Sequence, residues 1–124
     1  MAYTIEFADS ELRDIARDGA LVRVRLSAAA ARNDAGERGW LTSVTLEIGA
    51  ATLHGDAANA FGKIVEGTLR HGGERVARLA TPGTLPGDIE LALRLANGTR
   101  FTIHGDTLQA TLGDDARFQE DFSC

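Results

Sequence analysis

The stretch Asp88-Ile-Glu-Leu-Ala-Leu-Arg-Leu-Ala-Asn-Gly-Thr-Arg-Phe-Thr-Ile-His-Gly-Asp-Thr-Leu-Gln-Ala-Thr111 decides the fold. Its apolar residues Ile89, Leu91, Leu93 and Leu95 alternate with Glu90, Ala92, Arg94 and Ala96. Asn97-Gly98 then interrupts, and Phe101 and Ile103 resume the alternation. A period of two fits a pleated strand with one buried face. Asn-Gly suits the positive φ angles of a type I′ turn, so the stretch predicts a β-hairpin reversing at these two residues.

The same alternation recurs on either side. Tyr3–Phe7 reads as a first strand, and Val22, Val24 and Leu26 alternate with Arg23 and Arg25 in another. Between them, Ala8–Ala20 has two readings. Asp9 or Ser10 caps a helix carrying Leu12, Ile15 and Ala16, with Gly19 as its terminator. Alternatively, Asp18-Gly19 turns a hairpin between Leu12–Arg17 and Ala20–Ala28; the strand that follows at once favours this second reading. Ala28–Gly39 reads as a polar loop, its four alanines forming a strand end or a short helical turn. Trp40–Ile48 is a strand, Gly49 a turn, and Ala51–His54 its returning partner. Asp56–Lys63 reads as one helical turn and Ile64–Arg70 as a strand. Gly72-Gly73 turns the chain into Arg75–Leu79. Thr81–Gly87 holds two Pro-Gly pairs and reads as a surface connection, since proline cannot donate into a central ladder. Thr107–Leu112 adds a strand, and the tail from Gly113, with Phe118 and Phe122, a short helix. The expected fold is all-β: one domain over residues 1–124, an antiparallel sandwich or barrel of about eight to ten short strands with one or two helical turns.

Composition bounds the function. Of 124 residues 44% are hydrophobic, enough for a true core, and with five Phe, one Trp and one Tyr that core must be aliphatic. The net charge of −5 is spread along the chain, which argues against a nucleic-acid surface. Lys63 is the only lysine among 13 basic residues, a bias of the kind a GC-rich bacterial genome encodes. No run approaches the ~20 apolar residues of a membrane span, and the first residues carry no secretory pattern. Cys124, the single cysteine, has no internal disulfide partner, which suits a reducing cytoplasm.

Candidate chemistry centres on an echo. Val44–Asp56 resembles Leu91–Asp106: an alternating strand, a glycine-containing turn, a second strand, then His-Gly-Asp. Read as a duplicated hairpin, the two copies bring His54, Asp56, His104 and Asp106 together. Imidazoles with carboxylates suit Zn²⁺ or Fe²⁺ or general acid–base work. A mononuclear site needs the two rings within about 12 Å, given metal–nitrogen bonds of about 2.0–2.1 Å. The plainer reading of each Gly-Asp is turn chemistry, and His71 beside Gly72-Gly73 reads as another turn residue. Trp40 is a core residue or a ligand-stacking platform. Arg13, Arg17, Arg23 and Arg25 form a solvated face or attract an anion, and Asp114-Asp115 reads as a solvated helix start or as an acid pair. Cys124 is a passive thiol, its neighbours Glu120 and Asp121 tending to raise its pKa.

No nucleophile elbow, phosphate loop, Cys-x-x-Cys or His-Glu-x-x-His is present. The expected function is therefore a small binding or interaction module without catalytic residues or cofactor. It meets a protein partner or a second copy of itself, through sheet edges able to pair, and neither nucleic acid nor membrane. The alternative is a divalent-metal protein or metal-dependent enzyme using His54, Asp56, His104 and Asp106. A small-ligand carrier with an apolar interior is a third class.

Overall fold

The computed structural model describes residues 2–120. These form ten strands and no helix. Strands β1 (Tyr3–Asp18) and β2 (Leu21–Arg32) make a hairpin, with Gly19 at φ 61° in its two-residue loop. The hairpin reading of Ala8–Ala20 therefore holds over the helix, but its turn is Gly19-Ala20 and not Asp18-Gly19, since Asp18 pairs with Leu21. β1 runs unbroken where two short strands were expected. β3 spans Arg38–Gly49, β4 Thr52–Gly55, β5 Gly62–His71, β6 Glu74–Val76 and β7 Leu79–Thr81. β8 (Gly83–Leu95), β9 (Arg100–Leu112) and β10 (Phe118–Glu120) complete the chain.

Six strands close into an antiparallel barrel in the order β3-β2-β1-β5-β8-β9, with β9 returning to pair with β3. Two three-stranded meanders, β1-β2-β3 and β5-β8-β9, thus meet first strand to first and third to third. The short strands hang on this frame: β4 on β9, β10 on β3, β6 on β5 and β7 on β1. Closure pairs the edges of the long strands, leaving mainly short ones free, so the expected pairing through open edges has little to work with.

Inward residues fill the barrel with one aliphatic cluster, including Ile5, Leu12, Val24, Leu46, Leu91 and Ile103; Phe7 and Phe101 are its aromatics. With the axis occupied by these side chains, the interior offers no support for the carrier reading. Tyr3 stacks on Phe118 with centroids 5.4 Å apart and planes 26° apart, both packed against the core. Gly39 makes room for this contact: a Cβ there would lie 2.3 Å from the Gln119 carbonyl oxygen and 2.8 Å from the Phe118 ring.

Long strands bend to close a barrel, and β1 does so by bulging. Asp9 sits at φ 71°, and the inward side switches from Phe7 to Ser10. Ser10, fully buried, donates from Oγ to the Glu6 carbonyl (2.6 Å) and accepts from the Ala30 amide (2.9 Å). One hydroxyl thereby satisfies backbone groups that the bulge takes out of the ladder.

Several sequence expectations are corrected. The alanine run belongs to β2: Ala29 and Ala31 are buried while Ala28 and Ala30 face out, and the loop contracts to residues 33–37. There the Asn33 side chain accepts from the Ala35 and Glu37 amides. β4 pairs with β9 and not with β3, because both edges of β3 over Val44–Gly49 are taken by β2 and β9. Thr81–Gly87 is no mere surface connection. Gly83, Thr84 and Leu85 pair with β9, and Pro86, which lacks an N–H, sits at a register shift before Ile89. The Asn97-Gly98 reversal is a three-residue loop, not a type I′ turn. The Gly98 amide bonds to the Leu95 carbonyl at 3.0 Å, and only Gly98, at φ 89°, has positive φ. That is a type I turn followed by a left-handed glycine. Neither expected helix forms: Ala57–Ala60 and Gly113–Ala116 are turns, the second leading into β10. Phe122 and Cys124 lie outside the described residues. No helix is long and apolar enough to cross a membrane.

Candidate functional site

The two predicted histidines meet, though not through a duplicated hairpin. β4 lies beside β9, with Thr52 opposite His104 and His54 opposite Thr102, so the imidazoles are diagonal neighbours on the outer face. Their centroids are 5.6 Å apart and their planes 77° apart, well inside the limit for one metal ion. Glu90, opposite His104 on β8, places Oε1 3.9 Å from His104 Nε2. His104 and Glu90 are each nearly half exposed, at 48% and 41%.

The aspartates do not join them. Asp56 accepts from the Asn59 side-chain amide at 3.3 Å. Asp106 leans toward Gly49, where the inward side of β9 switches from Ile103 to Leu108. No group of three or more His, Cys, Asp or Glu suited to a metal ion occurs among the described residues. His104-Gly105-Asp106 is not a turn, since β9 runs straight through it. Gly105 is there because a Cβ would lie 2.4 Å from Ile48 Cγ2 and 2.7 Å from the Gly49 carbonyl oxygen. His71 does not merely decorate a turn either; its Nε2 donates to the Pro86 carbonyl at 2.5 Å and ties β5 to β8.

A second place stands out on the outer face of β1, β2 and β3. A groove of about 510 Å³ is floored by Ala28 and Ala30 and walled by Trp40 on one side and Glu6 on the other. Register explains it: Glu6 lies opposite Ala30, and Ala30 opposite Trp40, so a small residue sits between two large ones. Trp40 is half-buried and outward-facing; of its two sequence readings, the structure places it in a groove wall and outside the core. At one end Arg32 lies directly opposite Arg38. At the other are Asp9, Glu11 and Lys63. The arginine pair was missed in the sequence, yet the signal was there: residues 32 and 38 flank the 33–37 loop symmetrically, and a hairpin sets them face to face.

Two of the four arginines expected to share a face are neutralised. Arg25 makes a bidentate pair with Asp14 (2.6 and 2.5 Å) and Arg23 pairs with Glu47 at 3.2 Å. The hydrogen bonds from Arg25 hold the Asp14 carboxyl below the usual carboxylate range. Away from the groove lining, Glu37 and Glu120 share a hydrogen bond. The hydrogen bond from the Asn33 amide, and then that from Glu120, hold the Glu37 carboxyl below its ordinary value, while the bond with Glu37 raises that of Glu120.

No protein-family model, curated protein or solved structure matches this chain. What the geometry defines is a closed six-stranded antiparallel barrel with an aliphatic interior and a charged, tryptophan-walled groove on one outer face.

Proposed function

We propose that this chain is a non-enzymatic binding module whose contact face is the groove on β1, β2 and β3, and that its occupant is a protein partner. The observation that carries this reading is Trp40 beside an alanine floor, with Arg32 and Arg38 at its rim. Tryptophan and arginine are the side chains on which protein contacts most often depend, and a small-residue floor lets a partner's side chain approach the sheet. Replacing Ala30 by Phe fills the groove from an outward position without touching the core. The test is affinity capture from the source cells with wild-type protein, the Ala30→Phe variant and a Thr102→Phe control on another part of the barrel. A protein retained by wild type and the control but lost from Ala30→Phe supports the reading; retention by all three defeats it.

A second reading rests on the pair of imidazoles. His54 and His104 bring together two nitrogen donors of the kind a borderline divalent ion such as Zn²⁺ takes, without a third ligand among the described residues. It keeps two residues of the four-residue set expected from the sequence, and Glu90 lies beside His104 alone.

A further inference from the structure

We propose that the groove recognises an extended peptide segment with a carboxylate at one end, a flat or apolar side chain in the middle and a cation at the other. This rests on the reading of the groove as the partner face. Arg32 and Arg38 are cross-strand partners, a position in which like charges repel. Neither side chain forms a hydrogen bond or ion pair with another described residue. Adjacent guanidinium groups with free donors match the two oxygens of a carboxylate. Midway, Trp40 and Ala30 face each other and offer a ring face above an apolar floor.

The opposite end has the opposite sign. Glu6 is neutralised by Arg78 at 3.4 Å and Asp9 by Lys63 at 3.3 Å. Glu11 accepts the Ser27 hydroxyl at 2.7 Å but forms no ion pair among the described residues. Glu11 lies opposite Ala28, and from Ala28 to Arg32 a strand advances about 13 Å, the reach of a four- or five-residue extended segment. The polarity selects the partner class. A polyanion gains two cations at one end and meets carboxylates at the other, whereas a segment with charges of both signs is complementary along its whole length.

Trp40 is the only tryptophan in the chain, so its emission reads occupancy of the groove. The full chain is titrated at low salt with acetyl-Glu-Gly-Phe-Gly-Lys-amide, the same peptide with Gln for Glu, and the oligonucleotide dT8. The Glu peptide is expected to bind at least tenfold more tightly than the Gln peptide. The Arg32→Gln/Arg38→Gln variant is expected to lose that preference with a Tm no lower than wild type, because a repulsion has been removed. Should the double variant fold poorly, Arg38→Gln alone, at the exposed position, carries the same expectation. Equal binding of the two peptides overturns acid recognition while leaving the groove reading in place. Tighter binding of dT8, or no response of Trp40 to either peptide, also overturns the proposal. The groove reading itself fails on a different result, partner capture unaffected by Ala30→Phe.

Discussion

Ser10 Oγ lies 2.9 Å from the Ala30 amide nitrogen and accepts its hydrogen bond across the bulge that bends β1. The same hydroxyl donates to the Glu6 carbonyl, and the side chain is fully buried. Ser10→Ala strands an amide and a carbonyl together, so it is expected to destabilise the barrel by about 1–3 kcal/mol. Urea unfolding measures this, and a change under ~0.5 kcal/mol would mean that water or a relaxed backbone replaces the hydroxyl.

Gly105 allows β9 to pass beside Ile48 and Gly49 as it moves from β4 to β3. Gly105→Ala is expected to cost about 1–3 kcal/mol by overpacking, since one of its two clashes is with backbone. Its melting temperature should fall below that of an Ala variant at Gly36, where nothing lies within 4 Å. Gly36 carries φ strain at 81°, which Gly105 does not, so a Gly105→Ala loss no larger than that at Gly36 would mean that Ile48 and the Gly49 backbone give way.

Gly98 remains the critical residue of the β8–β9 loop although the turn type differs from expectation. Its φ of 89° resists a β-branched side chain, and Gly98→Val is expected to lose more than ~1 kcal/mol. An unchanged melting temperature would contradict a left-handed residue at this position.

The Asp14–Arg25 pair sets a direction of pH dependence. The folded pKa of Asp14 is depressed, chiefly by the hydrogen bonds from Arg25. Its contribution is therefore present above the unfolded pKa and is lost as pH falls through the folded one. Wild type and Asp14→Asn should differ near neutrality and converge in acid. The gap should be small, because both side chains are about two-fifths exposed (39% and 44%) and solvent screens them. A difference that persists below the carboxylate range would assign the effect to packing.

The imidazole pair gives the metal reading its own check. Zn²⁺ is expected to raise the Tm of the wild type and to leave His54→Ala and His104→Ala unshifted, with Glu90→Gln intermediate. Equal shifts in all four proteins, or purified protein free of stoichiometric metal by elemental analysis together with no Zn²⁺ response, would defeat it.

Local side-chain alternation determined much of the fold. The strands around Val24, Leu46, Leu91 and Ile103 are legible because a period of two buries one face, and the aliphatic core follows from the scarcity of aromatics. What alternation cannot carry is pairing between strands distant in the chain. Closure of β3 on β9 occupies the edge that β4 was expected to use, and it moves His54 beside His104 by a route no repeat encodes. Switches of the inward side at Asp9 and near Gly105 obey the curvature of a closed barrel, so Asp9 reads locally as a helix cap and Gly105-Asp106 as a turn. The groove lies between these limits. Its alanines, tryptophan and flanking arginines are all visible in sequence, but only the register of three strands sets Glu6, Ala30 and Trp40 in one row. Sequence alone determined which residues face in or out along the alternating runs; tertiary structure decided which of them meet, because register and closure are long-range properties that bulges shift by a residue at a time.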